Sequence, residues 1–295
     1  MIMEDHVLTN LRRELDMSEI LETLAMLSVL VFVISSMLSM GLSLTTKQIV
    51  EPLKDTKLVV LALVANFVLV PAIAYAITIL LSLESSISIG LILVSMAAGA
   101  PFLPKLVEVA KGNTPFSVGL MVLLMVVTIV YLPLVLPLVI ESVEVNPLDI
   151  ARSLIIMMLI PLGIGLFIKA RYEDAAEKIR PTFASASNIA ILALIVLGVV
   201  LKFESMIALV GSKGLLAALL FVAGALLAGY FLGGKDRSIK SVMALGTGQR
   251  NISAALVVAA QNFDSDVITF VLVFSIIGFI VLFPTAGELG KRSEG

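Results

Sequence analysis

An all-α, multi-pass membrane fold is what this sequence predicts, and three observations carry the prediction. Hydrophobic residues make up 59% of the chain and charged residues only 14%, far more apolar surface than a water-soluble core could hide. Uncharged runs near the roughly 20 residues that a helix needs to cross a bilayer recur along the chain, separated by short polar connections. Two of these runs are interrupted by Gly and Pro, and each carries a basic residue just past its break.

The elements follow in order. Residues 1–22 form a charged N-terminal tail in which Leu8, Leu11 and Leu15 recur at helical spacing, predicting a short helix at the membrane interface. The tail lacks the basic-then-apolar order of a cleaved signal. Its His6, the single histidine, is expected to be a solvated surface residue. About nine spans follow, near 23–44, 58–82, 86–110, 115–140, 150–169, 181–202, 207–232, 239–262 and 266–287. Pro71, Pro133, Pro137 and Pro161 are expected to kink helices without ending them. The last residues, 288–295, form a short polar tail.

The third and eighth spans break at Met96-Ala97-Ala98-Gly99-Ala100-Pro101-Phe102-Leu103-Pro104-Lys105 and at Leu245-Gly246-Thr247-Gly248-Gln249-Arg250-Asn251. Gly and Pro cannot sustain a helix there, so backbone N–H and C=O groups are freed where no lipid can satisfy them, which is tolerable only around a protein-lined or wet cavity. Paired interrupted spans in corresponding places of two chain halves point to the binding site of a secondary transporter.

The acid-rich connection Glu141-Ser142-Val143-Glu144-Val145-Asn146-Pro147 divides the spans four and five, giving units 23–140 and 148–287. If the first unit lacks one initial helix, each break falls in the fourth helix of a five-helix unit. Five is odd, so the second unit inserts upside down, an inverted repeat. Thirteen Lys and Arg residues lie on the side of loops 45–57, 111–114, 170–180, 233–240 and the C-terminus. The other side has five, Arg12, Arg13, Arg152, Lys202 and Lys213. The positive-inside rule then puts the C-terminus in the cytoplasm, the N-terminus outside, and the protein in the cell (cytoplasmic) membrane.

At these residues the chain resembles the bile acid:sodium symporter family. Met40-Gly41-Leu42-Ser43-Leu44, Val70-Pro71-Ala72, Gly90-Leu91-Ile92-Leu93-Val94, Ala110-Lys111-Gly112-Asn113 and Gln249 carry the resemblance, which extends over about residues 25–285. It implies a core domain with two crossing discontinuous helices beside a flatter panel domain, here without the first of ten helices. Sodium-coupled members carry hydroxyl and amide ligands in the first crossover. At those positions this chain has Ala98, Gly99, Ala100, Pro101, Phe102, Leu103 and Pro104, and the family's shared sodium-site glutamate falls on Leu245. Asn66, Ser117 and Gln249 remain on or beside ligand positions as weak sodium candidates, a thin uncharged cage for a hard cation.

An intramembrane charge costs roughly 2.5–3.5 kcal/mol to insert, so Lys105 and Arg250 are read as functional. Lys105 is expected to replace the missing cation, holding the crossing together or exchanging a proton, with Gln249, Asn66 and Ser117 as its companions in coupling. Arg250, able to hold a carboxylate or sulfonate through two parallel hydrogen bonds, is expected to bind substrate together with Asn251, Gln249, Thr247, Gly99, Pro101 and Asn188. A structural alternative stands beside each. Lys105 and Glu108, three apart, would pair on one helix face, and Arg250 would cap carbonyls freed by the break.

The expectation is therefore a secondary active transporter of a small organic anion, working by alternating access, sodium-independent or proton-coupled. Its alternatives are a sodium-coupled organic anion symporter, a cation/proton antiporter and a non-transporting membrane receptor. An enzyme is not expected: the chain has no cysteine, no intramembrane His and no paired-Asp arrangement. No cofactor is expected either. The partners are a small organic anion, the lipid bilayer and a proton or sodium ion. A net charge of -2 sets nucleic acid aside.

Overall fold

The computed structural model describes residues 2–140 and 146–293; within these, the side chains of 2–19, 51–52, 202, 205–206, 208–211 and 293 lie outside the description. The expected solvated placement of His6 and residues 141–145 of the acid-rich connection therefore lie outside the described residues. Every described element is helical.

Helix α1 runs from Ile2 to Gly41 without interruption, so the tail continues the first span where a separate interfacial helix was expected. A turn leads to α2 (Thr46–Val50) and a short 3-10 turn. Asp55 then starts α3 (Thr56–Val64) by accepting the Leu58 N–H at 3.1 Å, which satisfies one of the donors a helix start leaves open.

Before α4 (Val70–Leu81) the chain widens into a π-turn over Ala65–Leu69. Pro71 has no N–H to give, and the Val70 N–H reaches back to the Ala65 carbonyl, so the ladder slips by one residue where the proline would otherwise break it. The same device precedes Pro161: α8 (Pro147–Leu154) passes through a π-turn at Ile155–Leu159 into α9 (Ile160–Arg171). Between these lie α5 (Ser85–Met96), α6 (Leu103–Val109) and α7 (Thr114–Val139), the last capped by Asn113.

The chain continues as α10 (Glu173–Gly211), α11 (Gly214–Leu232), α12 (Arg237–Gly248), α13 (Ile252–Asn262) and α14 (Ser265–Ser293). Three expected boundaries move. The basic loop 170–180 is mostly the first turns of α10, where Lys169 bridges to Glu173 and Glu177 at 2.9 and 3.2 Å. The start expected near 207 moves to Gly214, because α10 runs on to Gly211. The tail expected from 288 is helical through Ser293.

Among the described residues, seven stretches are long and apolar enough to cross a membrane, and their outward residues, such as Leu80, Leu138 and Phe231, are broadly exposed as lipid-facing side chains are. The expected third and eighth spans are each two shorter helices, α5 with α6 and α12 with α13.

Helices α1, α9 and α10 pack on one another as a layer, and α1 and α10 also touch α13 and α14 of the larger body. Lipid is as apolar as leucine, so packing inside a bilayer depends on close fit rather than on escape from water. Gly41 of α1 and Gly165 of α9 provide it: a Cβ on Gly165 would stand 2.7 Å from the Leu38 carbonyl, and one on Gly41 would strike the Leu162 carbonyl.

Candidate functional site

The two helix breaks meet. After α5, residues 97–102 leave the helix, with Gly99 at φ 79° and its Cα hydrogen face pressed on the Met125 backbone of α7, where no side chain would fit. After α12, residues 249–251 leave the helix, beginning with an extended Gln249. The Asn251 N–H donates to the Ala97 carbonyl at 2.8 Å and its side-chain amide to the Gly99 carbonyl at 3.0 Å. The Asn251 side-chain oxygen meanwhile accepts the Ala254 N–H at 3.1 Å and caps α13. Ala98 is held from α7: its N–H donates to the Thr128 hydroxyl at 3.0 Å, and that hydroxyl donates to the Ala98 carbonyl at 3.1 Å. Backbone groups that an uninterrupted helix would satisfy thus find partners on the other break or on α7.

Arg250 lies at the centre of this crossing, 3% exposed. Its Nε donates to the Val94 carbonyl at 3.2 Å and Nη2 to the Ser95 carbonyl at 2.7 Å, both in the last turn of α5. Its Nη1 donates to the Thr247 carbonyl at 3.1 Å, in the last turn of α12, and to Asn66 Oδ1 at 2.8 Å. One guanidinium therefore sits on two helix C-termini, the negative ends of their dipoles. Asn66 belongs to the π-turn. Its amide donates to the Ala62 carbonyl at 3.0 Å and to the Thr247 hydroxyl at 3.4 Å, and beside it the Tyr131 hydroxyl of α7 donates to the Phe67 carbonyl at 2.8 Å.

A cavity of about 380 Å³ opens next to the crossing. Its walls come from α1 (Ser36, Ser39) and the turn after it (Ser43), α6 (Pro104, Lys105, Glu108) and α10 (Arg180, Ser187, Asn188), with Pro101 of the break between them. Lys105 and Glu108 pair at 2.7 Å with side chains 60% and 63% exposed. Thr114 and Val118 of α7 line this cavity and also a neighbouring one of about 930 Å³ that includes Lys47 and Asp55. At the other end of α7 lies a mostly apolar cavity of about 740 Å³, walled by Phe67, Tyr75, Met96 and Tyr131 among others. Residues 97–100 stand between Met96 on one side and Pro101 on the other.

With this geometry in hand, comparison with known proteins is informative. The pattern of the Sodium Bile acid symporter family matches residues 29–209, more than half of the chain. The chain belongs to that family. An uncharacterized sodium-dependent transporter, YocS, of Bacillus subtilis (strain 168) is 26% identical over 164 residues, covering 54% of this chain and 50% of that protein. Two probable chloroplastic sodium/metabolite cotransporters of Arabidopsis thaliana, BASS6 and BASS1, are each 23% identical, covering 83% and 88% of this chain and 64% and 65% of theirs. The chain thus spans between half and two-thirds of the length of these relatives. Membership makes it a multi-pass protein of a membrane transporter family.

Within this member of the symporter family, the structure sorts the expected site residues into two groups. Pro101, Lys105 and Asn188 face the cavity. Arg250, Asn251, Thr247, Gly99 and Asn66 are joined to one another in the crossing. Gln249, 6% exposed, lines with Arg250 a space of about 30 Å³ against Ser275 and Phe279 of α14, and its Oε1 has no partner among the described residues. Ser117 is buried on α7, donating to the Thr114 carbonyl at 2.7 Å. The two basic residues take the structural arrangements foreseen beside their functional ones: Lys105 pairs with Glu108, and Arg250 caps the break carbonyls.

Sequence reasoning missed Arg180, Thr128 and the serine face of α1. The signal for the last was present. Ser36 and Ser39 lie three apart on α1 inside an apolar run, with Ser43 four further on in the turn that follows, and Arg180, Ala184, Ser187 and Asn188 recur at three and four residues on α10, which places each helical set on one face.

Proposed function

We propose that this chain is a secondary transporter that carries a small organic anion across the cytoplasmic membrane by alternating access, without sodium. The observation that carries this reading is the polar cavity between the α1–α10 layer and the crossing, where Lys105 and Arg180 face a single carboxylate, Glu108. The local charge favours an anion, and the volume lies in the range of small-molecule sites. Serine hydroxyls and the Asn188 amide suit a compact polar carboxylate or sulfonate better than a large apolar one.

In this reading the chain has nine spans, the third and eighth discontinuous, arranged as inverted repeats 23–140 and 148–287 between the tail segments 1–22 and 288–295. The layer of α1, α8–α9 and α10 is the panel and the rest is the core. Of the cavities near the break, the one of about 380 Å³ lies between panel and core, where rocking of core against panel would open and close it, whereas the one of about 740 Å³ is walled by core helices. The N-terminus is outside and the C-terminus cytoplasmic, by the distribution of basic residues. The absence of side-chain oxygens at 98–104 and at Leu245 argues against sodium ligation there. Lys105 faces the cavity, and in this reading a coupled proton is exchanged at its ammonium.

A second reading, a sodium-coupled symporter, draws on the sodium-dependent names of the relatives and on Gln249 Oε1, a buried acceptor without a partner among the described residues. Reconstitution into proteoliposomes tests both. Uptake of small carboxylates and sulfonates driven by an imposed proton gradient, or running down the anion's own gradient, is expected. Uptake requiring a sodium gradient would favour the second reading, and saturable binding with no flux would favour a receptor.

A further inference from the structure

We propose that Arg250 is a tethered cation: its guanidinium permanently fills a monovalent-cation site built from neutral oxygens, and removing it uncovers a site that takes a free cation. This rests on the reading of the chain as a sodium-independent transporter and explains how the crossing could dispense with an exchangeable ion.

The site is defined by what surrounds the guanidinium. Four oxygens converge on it, the carbonyls of Val94, Ser95 and Thr247 and the side-chain oxygen of Asn66, at 2.7 to 3.2 Å. None carries a formal charge. Three are carbonyls in the last turns of α5 and α12, where the partial negative charge of the helix dipole collects. Among the described residues no carboxylate hydrogen-bonds to Arg250, although it is buried. A buried charge is ordinarily tolerated only when paired or fully hydrogen-bonded, and here neutral oxygens and two helix ends supply the compensation. Carbonyl and amide oxygens converging on one positive charge are the donor set that replaces the hydration shell of an alkali cation.

Four of the five N–H donors of the guanidinium are used on the protein, which leaves no fork for a substrate carboxylate. Because the charge is covalently attached, it cannot leave during a transport cycle, so α5 and α12 stay clamped together with no ion to load or release. Truncating Arg250 would leave four oxygens facing a space the size of a guanidinium, and a small cation would restore the compensation.

Purified protein in detergent, without substrate, provides the test. The melting temperature of the wild type is expected to be the same in sodium, potassium and choline chloride. Arg250→Ala is expected to melt lower, and to recover saturably with guanidinium on the order of 10 mM, far below denaturing concentrations, or with sodium or potassium, but not with choline, which is too large. Recovery by mass action identifies binding. Wild-type protein saturably stabilised by sodium over choline would overturn the proposal, as would an Arg250→Ala protein indifferent to all three small cations. If Arg250→Ala cannot be purified, Arg250→Lys decides: indifference to sodium supports the proposal and sodium dependence overturns it. These readouts need no substrate, so failure of the flux assay would end the transport reading while leaving this site intact, and the converse also holds.

Discussion

The side-chain amide of Asn251 donates to the Gly99 carbonyl at 3.0 Å while the oxygen of the same side chain caps α13. One residue thus starts a helix in one span and closes the gap in another. Asn251→Ala removes both contacts. Loss of a helix cap costs about 0.5–2 kcal/mol and loss of a buried hydrogen bond about 1 kcal/mol more, so thermal or denaturant unfolding should show about 1.5–3 kcal/mol of destabilisation. Asn251→Asp keeps the cap but has no donor for Gly99, and brings a carboxylate against a carbonyl. It is expected to be no more stable than the alanine variant.

Thr128 makes the complementary tie from α7, giving and accepting one hydrogen bond each with Ala98. Thr128→Val keeps the shape and removes both, leaving a buried N–H and C=O unsatisfied at about 1–3 kcal/mol each. Thr128→Ser retains the hydroxyl. The serine variant should unfold close to the wild type and the valine variant well below it; equal stabilities would show that the break is satisfied in some other way.

The positions of these ties explain what the sequence could and could not reveal. Gly99 and Pro101 announce the first break and lie in it, whereas Gly246 and Gly248 mark the second only approximately, since both are still helical and α12 ends after them. That Ala97 meets Asn251 is silent in sequence, because backbone carbonyls carry no residue signature. The roles of the two bases were legible only as alternatives. Lys105 has Glu108 one turn away, which local spacing reveals, whereas three of the four oxygens that accept from Arg250 come from residues more than 150 positions distant in chain order. The first turns of α10 read as a loop because of their charge, yet Glu173 and Glu177 lie one turn apart on α10 and both reach Lys169 at the end of α9, an ion pairing that ties the two helices.

Gly99 is the position least tolerant of a side chain. Its φ of 79° is open to glycine at little cost but disfavoured by about 1–2 kcal/mol for other residues, and an added Cβ would strike the Met125 backbone, which cannot rotate away. Gly99→Ala should lower stability by more than the conformational term alone, and proper folding should fail outright if α7 cannot shift. A variant melting within a degree of wild type would contradict the close approach of this turn to α7.

Asp236 provides a pH-dependent handle on α12. The Ser238 hydroxyl at 2.8 Å, followed by the backbone N–H groups of Ser238 and Ile239 at 2.8 and 3.3 Å, holds its carboxyl below the usual carboxylate range. A carboxyl with a lowered folded-state value contributes stability that is complete above the unfolded-state value of about 3.9 and is lost as pH falls through the folded value. Asp236→Ala should therefore melt below wild type at neutral pH, with the gap closing below about pH 4. A gap that persists unchanged in acid would show that the cap does not act through the ionised carboxylate.

The cleft separates charge from stability. Lys105 and Glu108 form an exposed pair, and such pairs contribute only about 0–1 kcal/mol to folding, so Lys105→Gln and Glu108→Gln should both melt near wild type. Their transport phenotypes should diverge. Removing Glu108 frees the Lys105 ammonium for the anion and should lower KM, whereas removing Lys105 or Arg180 takes away a charge-assisted hydrogen bond of about 1.5–3 kcal/mol, equivalent to roughly a tenfold to hundredfold rise in KM. The double variant Lys105→Gln with Glu108→Gln should resemble Lys105→Gln, because the carboxylate acts only by competing for the ammonium. Should Glu108→Gln instead abolish proton-driven uptake while leaving downhill exchange intact, the carboxylate carries the coupled proton, and the pair takes part in the transport cycle as well as in binding.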